Sequence, residues 1–147
     1  MSDAAVDPDV GFRSGFACLV GRPNAGKSTL TNALVGQKIV IASSKPQTTR
    51  HAVRGIVHRP DAQLVLVDTP GLHKPRTLLG ERLNDVIRAT WAQVDVVGVC
   101  LPANQRIGPG DRYIAERVPR NAVVVLNKVD RAPRELILEQ LALAAEL

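Results

Sequence analysis

The sequence predicts an α/β domain built on a mostly parallel but mixed sheet, with helices on both faces. Three features of the chain point there. Short apolar runs alternate with stretches of helical periodicity along most of its length. After the first hairpin the apolar runs are nearly continuous in Val, Leu and Ile rather than alternating, as strands covered on both faces require. Two runs, 51–58 and 63–68, are joined only by a turn at Arg59-Pro60-Asp61. That leaves no room for a crossover helix, so this pair must be antiparallel and the sheet mixed.

The elements follow in order. Residues 1–14 are polar, with Asp3, Asp7, Pro8 and Asp9, and read as a flexible tail; the folded domain is expected over 15–147. Residues 16–20 are a buried strand that runs directly into the glycine-bearing segment 21–28, and 28–35 read as a helix closed by Gly36. Residues 42–50, ASSKPQTTR, are polar and carry Pro46, hence a loop. Beyond the hairpin, 69–76 hold two prolines and a glycine and form another loop. Residues 78–93 place Leu79, Leu83, Val86, Ile87 and Trp91 at helical spacing. A strand over 94–101, a helix over 109–118, a strand over 121–126 and a helix from 134 to the last residue complete the chain. There is no internal repeat and no low-complexity tract.

Composition narrows the class. A length of 147 residues suits about one domain. Aromatic residues are only 3%, so the core must be built from Val, Leu, Ile and Ala. Cys18 and Cys100 lie inside apolar runs with neither metal spacing nor a disulfide framework, which predicts a reduced, cytoplasmic chain. No apolar run approaches the ~18–20 residues of a spanning helix. The N-terminus lacks the basic start and apolar stretch of a signal peptide. The net charge of +5 is compatible with phosphate or nucleic-acid partners and equally with a merely soluble surface.

Chemistry enters at Gly21-Arg22-Pro23-Asn24-Ala25-Gly26-Lys27-Ser28, which fits GxxxxGK[ST] in full, between a predicted strand and a predicted helix. Gly21 and Gly26 let the backbone wrap so that successive N–H groups face one anion. The helix that starts there adds its positive end. Lys27 can reach the β- and γ-phosphates, and the Ser28 hydroxyl can meet Mg²⁺. This P-loop does not by itself choose between ATP and GTP.

Asn127-Lys128-Val129-Asp130 follows the strand 121–126, at the end of the sheet where ligands bind in such folds. Asp130 can accept from guanine N1–H and the exocyclic amine, donors that adenine does not present there. A buried carboxylate left unpaired is costly, which makes the discrimination large. Lys128 can lay its alkyl stem over the base, and Asn127 can tie this loop to the phosphate loop. Asp68-Thr69-Pro70-Gly71 ends the second hairpin strand. Asp68 can hold a water on Mg²⁺ and the Gly71 N–H can meet the γ-phosphate; both contacts change when that phosphate leaves, which defines a switch. The loop 42–50 must supply the other switch, through Thr48 or Thr49.

With these residues in hand, the chain resembles the GTPase domain of the Era family of bacterial ribosome-assembly GTPases. The segments that carry the resemblance are GRPNAGKSTLTNALVGQK, SSKPQTTRHAVRGIV, DTPGLHKPRTLLGERLN and NKVD, over roughly 14–132; PQTTR is the most specific. It implies a P-loop NTPase of the Ras-like, three-layer type, with GTP and GDP as ligands and Mg²⁺ as cofactor. It favours Thr49 as the switch threonine. The nucleotide contacts it implies are Gly21 to Thr29, Asp68, Thr69, Pro70, Gly71, Leu72, Asn127, Lys128, Val129 and Asp130. Ser28, Thr49 and Asp68 would hold Mg²⁺, and Lys27, Asn24, Thr49 and Gly71 would serve turnover. Leu72 stands where Ras-type enzymes carry a water-orienting glutamine, and Asn24 matches an asparagine that helps hold K⁺ beside the phosphates in relatives with this loop. The resemblance further implies 16S rRNA and the 30S subunit as partners, a cytoplasmic location, and peripheral contact with the inner face of the membrane. Family members continue past NKxD to a Ser-Ala-Lys loop against the guanine, a last strand and helix, and a KH domain. This sequence stops at Leu147, so the expectation is a C-terminally incomplete domain without KH. Two other readings compete: a tRNA-modification or other ribosome-assembly GTPase, against which PQTTRH counts, and a guanine-nucleotide-binding fragment without effective turnover.

Overall fold

In the computed structural model the described residues are 11–36, 53–67 and 78–147, with the backbone alone described at 78–83 and 86. They form β1 (Arg13–Val20), α1 (Lys27–Val35), β2 (Val53–His58), β3 (Ala62–Val67), α2 (Leu78–Trp91), β4 (Val96–Pro102), α3 (Pro109–Ala115), β5 (Val123–Asn127), a 3₁₀ turn (Val129–Arg131) and α4 (Arg134–Ala144). The sheet runs β2-β3-β1-β4-β5. β1 is parallel to β3 and β4, β4 is parallel to β5, and β2 alone is antiparallel. The mixed sheet expected from the short turn is therefore present.

Several boundaries moved. β1 starts at Arg13, inside the segment read as a tail, because Arg13 and Ser14 pair with Ala62 and Gln63 of β3. The Arg13 N–H also bonds the Asp61 carbonyl at 2.9 Å. Exposed polar residues can extend a strand once a neighbour supplies the ladder, and hydropathy does not see this. α3 stops at Ala115 rather than 118, and α4 stops at Ala144 rather than running to the last residue. α1 ends as expected: Gly36 takes φ = 71° and its N–H returns to the Asn32 carbonyl at 3.0 Å.

One face of the sheet carries the core. Cys18 and Val20, Val65 and Val67, and Val97, Val99 and Leu101 recur with period two and meet Ile87 and Trp91 of α2, Ile114 of α3 and Ala144 of α4. The connection through α1 leads toward β2 and β3, whereas those through α2 and α3 lead toward β4 and β5. With right-handed crossovers this puts α1 on the opposite face. There Ala17, Leu66 and Cys100 are buried, yet α1 has no buried residue and Leu34 is exposed. The two connections diverge at the carboxyl ends of β1 and β4, which is the crevice where such sheets take ligands.

Candidate functional site

The segment 21–26 turns the chain from the end of β1 into α1, and two glycines make the turn sterically feasible. A Cβ on Gly21 would stand 2.5 Å from the Cys100 carbonyl oxygen. Gly26 has φ = 92°, and a Cβ there would collide with Asn127 Nδ2. Asn24 is left-handed at φ = 63°, a conformation that asparagine tolerates better than most residues. α1 begins with no side-chain cap and no acidic residue in its first turn. Among the described residues its first turn thus carries no anion of its own, which suits an external one. The Lys27 ammonium lies back on the loop, donating to the Gly21 and Arg22 carbonyls at 2.9 Å each.

The loop after β5 closes against this cradle. Asn127 Nδ2 donates to the carbonyls of Ala25 at 3.1 Å and Gly26 at 3.3 Å, the tie expected from the sequence. Asn127 itself is fixed by its own carbonyl, which accepts the Ala103 N–H at 2.7 Å. Lys128 is left-handed at φ = 59°, and its Nζ reaches across to the Asn24 carbonyl. For a residue with a Cβ this backbone costs about 1–3 kcal/mol. Here it bends the chain so that the Lys128 stem runs beside Gly26.

Between the two loops lies an open cleft of about 470 Å³. Asn24, Gly26, Lys27, Ser28 and Thr29 line one side; Asn127, Lys128, Asp130 and Arg131 line the other. Gly21, Arg22, Pro23, Ala25 and Val129, also expected at the nucleotide, do not line it. Ala25 is fully buried beneath the loop, and Val129 is exposed. Asp130 is exposed as well, with its carboxylate 3.8 Å from Arg131 Nε. The buried carboxylate invoked for base discrimination is thus a solvated one in this structure, and its cost when unpaired arises only under a ligand that covers it.

Thr48, Thr49, Asp68, Thr69, Pro70, Gly71 and Leu72 lie outside the described residues. Among the described residues no group of three or more His, Cys, Asp or Glu could hold a metal ion. Ser28, at the start of α1 and on the cleft wall, fits as a single hydroxyl ligand to a cation carried by phosphates.

Sequence reasoning missed three participants. Arg131 lines the cleft. Cys100 donates its thiol to the Ala25 carbonyl at 3.4 Å from beneath the phosphate loop. Burial pushes that thiol above its ordinary range, against a smaller lowering by Lys27, Asn127 and Lys128. Asp111, in α3, takes Arg22 Nε at 2.7 Å. Arg131 directly follows NKVD, whereas Cys100 and Asp111 are marked by no local pattern and are defined by partners far away in the chain.

Comparison with known proteins agrees with this geometry. The family model described as 50S ribosome-binding GTPase matches residues 16–128. The GTPase Era of Streptomyces coelicolor is 68% identical over 135 residues, which cover 88% of this chain and 42% of that protein. The GTPase Era of Mycobacterium tuberculosis (strain CDC 1551 / Oshkosh) is 61% identical over 142 residues, covering 92% of this chain and 47% of that one. Among solved structures, Era in complex with MgGDPNP and nucleotides 1506–1542 of 16S ribosomal RNA is 31% identical with a TM-score of 0.73, covering 92% of this chain and 47% of that chain. A variant of Aquifex aeolicus Era bound to GDP·AlF4⁻ is also 31% identical, with a TM-score of 0.71 over 90% of this chain and 47% of that chain. The chain spans about half the length of the curated relatives it matches. The Era resemblance read from PQTTR and the nucleotide motifs is borne out, and the chain belongs to the 50S ribosome-binding GTPase family.

Proposed function

We propose that this chain is the guanine-nucleotide-binding part of an Era-type switch that hydrolyses GTP to GDP and phosphate. The observation that supports the reading is the pair of hydrogen bonds from Asn127 Nδ2 to the Ala25 and Gly26 carbonyls, which joins the segment 21–28 and the segment 127–131 around one cleft. In this reading 15–147 belongs to the G domain.

Each residue then has a task. The backbone of Gly21 to Lys27 and the uncapped start of α1 bind the phosphates. Lys27, now satisfied by two loop carbonyls, exchanges them for phosphate oxygens and stabilises charge that grows as the γ-phosphoryl leaves. Lys128 covers one face of the base and Asp130 accepts from the guanine donors. Ser28, with Thr49 and Asp68, would hold Mg²⁺. Held there, Mg²⁺ would supply positive charge against the phosphates. Asn24, exposed on the cleft wall, is proposed to help hold K⁺ beside the phosphates. Gly71 would meet the γ-phosphate, and Leu72, unable to orient water, leaves catalysis to charge and position.

For a longer protein built around such a domain, 16S rRNA and the 30S subunit are the proposed partners, on the likeness to Era. A cytoplasmic setting and peripheral contact with the inner face of the membrane belong to the same proposal, on that likeness alone. Among the described residues no helix is long and apolar enough to cross a membrane.

The test compares fluorescent GDP and ADP binding, and single-turnover GTP hydrolysis, on the 147-residue chain and on Asp130→Asn. GDP should win in the parent, and the variant should move toward xanthosine nucleotides, whose base offers a carbonyl in place of the amine. Equal affinity for GDP and ADP in the parent sinks the guanine reading. Tight GDP binding without turnover removes only hydrolysis.

A further inference from the structure

Arg22, the second residue of the phosphate loop, sends its side chain away from the cleft. Its Nε donates to Asp111 Oδ1 at 2.7 Å, across 89 residues of sequence. Asp111 is 1% exposed, and its other oxygen accepts the Gly108 N–H at 2.9 Å, so one carboxylate both caps α3 and holds Arg22. The Arg22 stem crosses α3 at Gly110, where a Cβ would come within 3.1 Å of Arg22 Cδ. Arg22 Nη2 is buried and without a partner among the described residues, which leaves Asp111 to balance the guanidinium.

The segment ahead of α3 is held from its far side. Gln140 of α4 is completely buried. Its Nε2 donates to the Gln105 carbonyl and its Oε1 accepts the Ile107 N–H at 3.3 Å. A buried amide satisfied at both ends fixes orientation as well as distance. α4 itself starts just behind the base-reading loop. The contacts therefore run from that loop through α4, Gln140, the segment 105–108, Asp111 and Arg22 into the phosphate loop. Asn127 and Lys128 join the same two loops directly, so the cleft sits inside a closed ring of contacts.

We propose that Asp111 and Gln140 are positioning residues for the nucleotide, forming through Arg22 a second link that holds the phosphate loop at its distance from the base-reading loop. This rests on the nucleotide reading given under Proposed function. Neither residue touches the ligand; each acts by keeping the Arg22 backbone, and with it one of the carbonyls that seats Lys27, in place.

GDP release is followed with a fluorescent GDP on the 147-residue chain, and thermal unfolding is recorded on the same samples. Asp111→Asn keeps an oxygen for the Gly108 N–H while removing the charge that faces Arg22. It should speed release ~10-fold, a change of ~1.4 kcal/mol. In an Arg22→Gln background that effect should vanish, because the two residues act as one unit. Gln140→Met fills the same space without either hydrogen bond, leaves the ion pair alone, and should speed release about threefold or more. A purely structural role would lower the unfolding temperature and leave release unchanged below it. Release within about twofold of the parent in both variants, or an Asp111→Asn effect undiminished by Arg22→Gln, overturns the inference. A parent that does not bind GDP at all removes the nucleotide reading and this inference together; a parent that binds, with variants that release at its rate, removes this inference alone.

Discussion

Asn127→Ala should weaken GDP binding ~10- to 100-fold while leaving the chain folded. The Asn127 amide donates to two carbonyls of the phosphate loop, at 3.1 and 3.3 Å. Ala25 is fully buried, so its carbonyl cannot turn to solvent, and its other partner among the described residues is the weak Cys100 thiol donor at 3.4 Å. A neutral hydrogen bond contributes about 0.5–1.5 kcal/mol net, and a buried acceptor left unsatisfied costs about 1–3 kcal/mol. Both bonds leave one nitrogen and the second is the longer, so they do not count in full. A loss of ~1.5–3 kcal/mol in the preorganisation of the cleft follows, and each ~1.4 kcal/mol is a decade in Kd. Asn127→Asp has the same shape but turns an acceptor toward two acceptors, so it should bind more weakly than Asn127→Ala. Fluorescent-GDP titration beside a melting curve reads both. A folded Asn127→Ala chain with a Kd within about threefold of the parent would refute the reasoning, as would Asn127→Asp binding as tightly as Asn127→Ala.

If Asn24 helps hold K⁺, single-turnover GTP hydrolysis should be faster in KCl than in NaCl at equal ionic strength. The difference should vanish in Asn24→Gly, which removes the side chain without straining the left-handed backbone at φ = 63° as Asn24→Ala would. Identical parent rates in the two salts end the cation mechanism. Burial pushes the Cys18 thiol from 9.0 to about 11. The unfolded chain then loses this proton at lower pH than the folded one, so stability falls as pH rises above 9.0 and levels off near 11. The loss is on the order of 2 kcal/mol. Urea midpoints at about pH 8 and about pH 10.5 should differ less in Cys18→Ala than in the parent; equal differences would remove the assignment.

What the sequence determined by itself is whatever a short window encodes. GxxxxGK[ST] needs its glycines and lysine at fixed steps along one turn, and the structure places Gly21, Gly26 and Lys27 in that turn, at the head of α1. NKVD sits at a strand end, and Asn127, the last residue of β5, makes the link to the phosphate loop expected from that motif. The hairpin was legible because three residues cannot hold a helix.

Only the tertiary structure decided the rest. β1 begins at Arg13 because β3 lies beside it, and no property of Arg13 or Ser14 announces that neighbour. Asp130 is solvated although its task suggested burial. Asp111 and Gln140 look like surface residues in a list of residue types, yet they are among the most buried side chains described. A buried polar group is viable only when its partners are in place. Those of Asp111 include Arg22, 89 residues away, and those of Gln140 lie 33 and 35 residues away. Periodicity and local spacing report on a residue and its near neighbours, whereas pairing across such distances is fixed by the sheet order that brings β1, β4 and β5 side by side.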